Sequence, residues 1–211
     1  MKLIFVGDPM CSWCYGFGKE LSALNERHPE LPLEILVGGL RAGATDVLDD
    51  SGKQFRLTHW ARVEESSGLP FNREALMARK NFVYDTEPIC RAVVTARHLL
   101  PQADLLKVFR ALQRTFYVDG LDTNNGMVLA EAAAANLQQQ GHAIDVASFH
   151  AEWSHSATIA VAKAEFAYVR KIGINSFPAL LLEKDGQLIE ISPGYAHVAQ
   201  LEQQLQAALR S

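Results

Sequence analysis

The chain has 211 residues, with a hydrophobic share of 48%, a charged share of 21% and a formal net charge of -4. That length allows one large domain, or a domain carrying a sizeable insertion, with enough chain to bury a core without disulfide support. The balanced charge argues against nucleic acid and anionic membrane surfaces as partners, and no apolar run approaches the roughly 20 residues of a spanning helix.

The three cysteines, Cys11, Cys14 and Cys90, exclude a secreted disulfide framework and leave one thiol outside any pair. Met1 runs directly into strand-like residues, with no basic segment, long apolar stretch and small-residue cleavage site. Read as the native start, this predicts a cytoplasmic protein.

In chain order, Lys2-Leu3-Ile4-Phe5-Val6-Gly7 has the pattern of a buried strand. It is followed by Cys11-Ser12-Trp13-Cys14 and helical character over 16–27, broken at His28-Pro29-Glu30-Leu31-Pro32. Residues 33–40, with Leu33, Ile35, Val37 and Leu40, read as a second strand, and strand, helix, strand predicts a right-handed parallel crossover. From about 43 to 173 helical patterns dominate. Helices are expected over 58–67 and 72–81, from Thr86-Glu87-Pro88 to about 100, and over 103–117, 126–140, 145–153 and 156–171. Strand signals return at 179–183 and 188–191, joined through Lys184-Asp185-Gly186-Gln187, whose Asp-Gly pair signals a hairpin. A helix over 197–209 closes the chain. The expected fold is α/β: a mixed sheet with its helices in 1–42 and 174–211, and an all-helical insertion over 43–173 whose last long helix packs on the sheet.

A C-x-x-C at a strand-to-helix junction is a redox dithiol signature. If a helix begins at Cys11, the first sulfur meets unpaired backbone N–H groups and the positive end of the helix dipole, which favour thiolate. Cys14 lies one turn deeper on the same face, within disulfide reach. The competing readings are a structural disulfide or half of a zinc site. Zinc normally takes four ligands, and Cys90 and the scattered histidines supply no second pair at finger-like spacing.

That order of elements resembles the thioredoxin fold, and a helical insert between its halves resembles the DsbA-like branch. The stretch Asp8-Pro9-Met10-Cys11-Ser12-Trp13-Cys14-Tyr15-Gly16-Phe17 is similar to the FrnE-like cytoplasmic DsbA-family oxidoreductases. The resemblance implies that a cis-proline loop faces the dithiol, and the matching residue is Pro178 in Asn175-Ser176-Phe177-Pro178-Ala179. Phe177 would then touch the substrate. Better-known members carry a buried acid six positions before the first cysteine; that position here is Phe5, so deprotonation of Cys14 needs another group.

Other residues carry two readings each. Trp13 is a substrate platform or a packing side chain, and with Ser12, Phe177 and Pro178 it completes the expected substrate-binding set. Asp8 and Pro9 shape a loop that lifts Cys11 to the surface, or Asp8 handles a proton. Cys90 is inert packing, or sits on a helix that brings it near Cys11. Gly38-Gly39 permits a turn out of the second strand, and Gly194-Tyr195 turns into the last helix.

The expectation is a thiol-disulfide oxidoreductase in which Cys11 is the exposed nucleophile and Cys14 resolves the mixed disulfide. Its partners would be protein thiols and disulfides or glutathione, with no metal or prosthetic group. The rivals are an enzyme like the kappa-class glutathione transferases and 2-hydroxychromene-2-carboxylate isomerases, which usually carry serine in place of the first cysteine, and a chaperone-like binder of unfolded chains.

Overall fold

The computed structural model describes residues 1–210. The chain begins with strand β1 (Lys2–Gly7), helix α1 (Ser12–Arg27) and strand β2 (Leu33–Val37). Six of the next helices follow as α2 (Asp50–Ser67), α3 (Arg73–Ala78), α4 (Glu87–Leu99), α5 (Leu105–Tyr117), α6 (Gly126–Gln139) and α7 (Val146–Trp153), then α8 (Ser156–Lys171). Strands β3 (Ala179–Lys184) and β4 (Gln187–Ser192) and helix α9 (Val198–Arg210) complete the described chain.

The sheet order is β2-β1-β3-β4. β1 runs parallel to β2, with Phe5 opposite Ile35, and antiparallel to β3, with Phe5 opposite Leu180. The expected mixed sheet is therefore present, because a parallel pair needs the α1 crossover whereas β3 and β4 need only a tight turn. At that turn Asp185 and Gly186 have φ of 52° and 76°, the paired left-handed conformation that favours Asp-Gly in hairpins.

Alternation along β1 supplies two cores. Leu3 and Phe5 face a large cluster shared with Phe17 and Leu21 of α1, Val93 of α4, Phe109 of α5 and Leu205 of α9. Ile4 and Val6 face the other side, where Leu36, Ala179 and Leu181 pack with Val169 of α8. Period-2 side-chain direction makes one apolar strand serve both layers.

Several elements depart from the sequence expectation, α3 among them by ending at Ala78 and not at residue 81, and three of the departures have a local cause. β2 ends at Val37 and not at residue 40, because Gly38 and Gly39 turn the chain, with Gly39 at φ 61°. α2 begins at Asp50, eight residues before the expected start, since the Asp49 side chain accepts from Gly52 N at 2.7 Å and caps what reads locally as a turn. Thr86 makes no side-chain cap for α4; Asp85 Oδ1 accepts from Glu87 N at 2.9 Å instead. The Thr86 hydroxyl is drawn inward, accepting from Arg41 N at 3.1 Å.

Candidate active site around Cys11 and Cys14

Cys11 is the N-cap of α1, with extended backbone (φ -83°, ψ 117°), and Cys11 N donates to Asp8 O at 3.0 Å, closing the loop out of β1. Helical spacing then places Cys14 beside it, the two cysteines lying 3.5 Å apart. All three cysteines are free thiols. Cys14 is fully enclosed while Cys11 is 8% exposed. The expectation of an openly exposed Cys11 is thus corrected: only a small part of it reaches solvent. Burial pushes the Cys14 thiol well above its ordinary pKa, and the neighbouring Cys11 sulfur pushes it further.

The Phe177-Pro178 peptide is cis, as the resemblance implied. Cys11 Sγ donates to the Phe177 carbonyl at 3.6 Å, across 166 residues of sequence. The Phe177 side chain packs against the end of β2 and also lines a groove beside the thiols. Its ring lies over Gly38, where an added Cβ would come within 2.0 Å of it. The backbone of Phe177 therefore faces the sulfur while the ring is half-buried against the end of β2.

A shallow groove of about 370 Å³ adjoins the thiols, lined by Trp13, Ser66, Phe177, Pro178, Gly194 and Tyr195. Trp13 is half-buried and tilts against Tyr195 with ring centroids 5.5 Å apart, so it both packs and lines the groove. Tyr195 OH donates to Ser66 O at 3.1 Å, tying the turn before α9 to the end of α2. Ser12 is the first residue of α1 and does not line the groove. A larger cavity of about 760 Å³ lies beside α5 and α6, lined by residues such as Lys107, Arg110, Arg114 and Glu131 and by neither Trp13 nor Pro178.

Asp8 is fully buried, and four donors converge on its carboxylate. Met10 N donates to Oδ1 at 2.8 Å, Leu40 N and Cys90 Sγ donate to Oδ2 at 2.7 and 3.5 Å, and the Thr86 hydroxyl is the fourth. Desolvation outweighs these bonds and holds the Asp8 pKa above the ordinary aspartate value. Cys90 is fully buried as well, and burial followed by the Asp8 charge pushes its thiol up. Phe5, at the position where related proteins carry an acid, stacks on Phe17 and meets Phe109 edge-on.

Tyr84 escaped the sequence reading, and Thr86 was read there only as a helix start. Tyr84 OH donates to Met10 O at 2.5 Å, and Tyr117 stands beside it. Nothing local to residues 84–86 signals this, since the partner lies 74 residues away.

The chain matches no family model and no curated protein; solved structures carry the likeness. A "putative protein disulfide isomerase" from Nitrosomonas europaea is 29% identical, covers 100% of this chain and 98% of its own, and has a TM-score of 0.85. The cytosolic disulfide reductase DsbM from Pseudomonas aeruginosa is 24% identical, with coverage of 100% and 99% and a TM-score of 0.80. This chain has the DsbA-like thioredoxin fold. A 2-hydroxychromene-2-carboxylate isomerase also superposes, at 13% identity, coverage of 100% and 95%, and a TM-score of 0.64. On the DsbA-like fold the dithiol, the cis-proline loop and the turn before α9 all meet at one end of the sheet, which is why residues from 8 to 195 share one site. No described helix is long and apolar enough to cross a membrane.

Proposed function

We propose that this protein is a thiol-disulfide oxidoreductase that exchanges disulfides with protein or low-molecular-weight thiols through Cys11 and Cys14. The observation that carries the reading is the convergence of two adjacent thiols, one partly open and one sealed, with the Phe177 carbonyl directed at the open one. Such a carbonyl is free to pair with an extended peptide or a peptide-like thiol in strand fashion.

In the reductive direction the Cys11 sulfur attacks one sulfur of a substrate disulfide. That bond breaks, the distal sulfur leaves as thiolate, and a mixed disulfide remains on Cys11. Cys14 then attacks Cys11 Sγ, the mixed disulfide breaks, and the second substrate thiol departs. Two electrons have passed to the substrate, and a thiol reductant returns them to the Cys11–Cys14 disulfide. Glutathione is the reductant we favour, supported by the DsbM neighbour solved with GSH. The reading also places the protein in the cytoplasm, the compartment named for DsbM, and requires no metal or prosthetic group.

Purified Cys11→Ser protein is expected to lose both insulin reduction and dithiol oxidation, while Cys14→Ser accumulates a mixed disulfide with glutathione detectable by mass. Full turnover by Cys11→Ser would refute the assignment. Tight glutathione binding and isomerase activity in that same variant would point instead to the glutathione-using isomerases.

A further inference from the structure

The residue before the nucleophile is held at every atom it has that can hydrogen-bond. Met10 is buried. Its N–H donates to Asp8 Oδ1 at 2.8 Å, its carbonyl accepts from the Tyr84 hydroxyl at 2.5 Å, and its sulfur accepts from the Thr123 hydroxyl at 3.4 Å. Asp8 belongs to the loop after β1, whereas Tyr84 precedes α4 and Thr123 precedes α6. Two of the three grips therefore come from the helical insertion. Those two segments are also tied to each other, because Asn124 Nδ2 donates to Val83 O at 2.8 Å.

We propose that Tyr84 is a positioning residue for Cys11: its hydroxyl fixes the Met10–Cys11 peptide and so aims the Cys11 sulfur at the disulfide it attacks. This role rests on the oxidoreductase reading above and deepens it. A peptide unit is planar, so a grip on its oxygen and another on its nitrogen fix the whole plane. Here Tyr84 holds the Met10 oxygen, and Cys11 N donates to Asp8 O at 3.0 Å. On the far side Cys11 O accepts from Tyr15 N at 3.0 Å as α1 opens. With both flanking peptides held, the Cα–Cβ direction of Cys11 is set, and its sulfur arrives 3.6 Å from the Phe177 carbonyl.

Disulfide exchange needs the attacking sulfur in line with the bond it breaks. Its rate therefore suffers from a misplacement that a small alkylating reagent, free to approach from any open side, tolerates. Tyr84 is held as such a fixed point requires. It is buried, its ring meets Phe116 of α5 edge-on with centroids 5.6 Å apart, and the Arg56 guanidinium of α2 lies over it at 4.1 Å. Two helices of the insertion thus hold the ring. Tyr84→Phe keeps both ring contacts and removes only the hydroxyl that reaches Met10.

Two reactions at Cys11 are compared in a Cys14→Ser parent, which holds the mixed disulfide for detection. Mixed-disulfide formation with oxidised glutathione is timed beside alkylation by iodoacetamide, and the modified residue is read by mass. Adding Tyr84→Phe should slow mixed-disulfide formation about 10-fold and alkylation by no more than about twofold. Thr123→Val, which frees only the Met10 side chain, should shift the same ratio by about threefold and supplies the reading where Tyr84→Phe does not fold. A purely structural role would lower the melting temperature and leave the ratio of the two rates at its parent value. That result in Tyr84→Phe, or in Thr123→Val where Tyr84→Phe does not fold, overturns the proposal. Failure of the Cys14→Ser parent to form any mixed disulfide would instead overturn the oxidoreductase reading.

Discussion

Gly38 follows the last residue of β2 and has no room for a side chain, because the Phe177 ring occupies the place a Cβ would take. The same Phe177 presents its carbonyl to Cys11 Sγ, so crowding at Gly38 reaches the thiol through one residue. Gly38→Ala is expected to destabilise the fold by about 1–3 kcal/mol, the usual cost of overpacking, and to slow mixed-disulfide formation at Cys11. Urea denaturation and alkylation rates at Cys11 measure the two effects; a variant with wild-type alkylation would show that Phe177 moves without taking its carbonyl along. Gly38 was legible in the sequence only as a turn former. The ring that gives it a second role lies 139 positions away in the chain.

At the scale of elements, α8 is joined to the parallel edge of the sheet by a buried carboxylate as well as by Val169. Glu165 Oε1 accepts from Val37 N at 2.7 Å and from Arg97 Nη1 on α4 at 3.3 Å, while Arg97 Nη1 also donates to Ile35 O at 2.7 Å. Glu165 thus supplies the acceptor for the final N–H of β2, the strand whose end carries Gly38. Glu165→Ala leaves that N–H unpaired in a buried setting and should cost about 1–3 kcal/mol, read as a lower urea midpoint at unchanged slope. No loss would mean that water reaches Val37 N. The order and type of the elements were readable from periodicity and turn chemistry, and α8 was read at its observed ends. The start of α2 was not, because Asp49 caps the helix through a contact that competes with a local turn pattern.

Over the whole molecule, the two ends of the thioredoxin-like part are clamped by one titrating group. His28, just after α1, contacts Glu30 Oε1 at 3.1 Å and Glu202 Oε1 of α9 at 2.9 Å. Burial opposes its protonation, yet the hydrogen bonds and charges of Glu202 and Glu30 win and raise its pKa above the ordinary value. The stabilisation is therefore full below the unfolded histidine pKa of about 6.5 and fades as pH rises through the higher folded value. The His28 hydrogen bond holds Glu202 below its ordinary pKa, so the clamp also weakens once pH falls into the carboxylate range. The difference in melting temperature between wild type and His28→Gln should be larger at mildly acidic than at mildly alkaline pH. A gap that widens with rising pH contradicts the clamp.

The family resemblance located the proline loop at Pro178; by itself the sequence determined the pair at Cys11 and Cys14, the parallel crossover, the helical middle and the hairpin. Each is written in a short window, through 3.6- and 2-residue periods, turn residues and a spacing that fixes two sulfurs on one helical turn. Only the tertiary structure decided that Cys11 is largely covered, that the Phe177 ring turns away toward Gly38, and that Asp8, Thr86 and Cys90 form one buried knot beside Cys14. Burial and the field at a thiol depend on which distant segments pack around it, and no local pattern of residues encodes that.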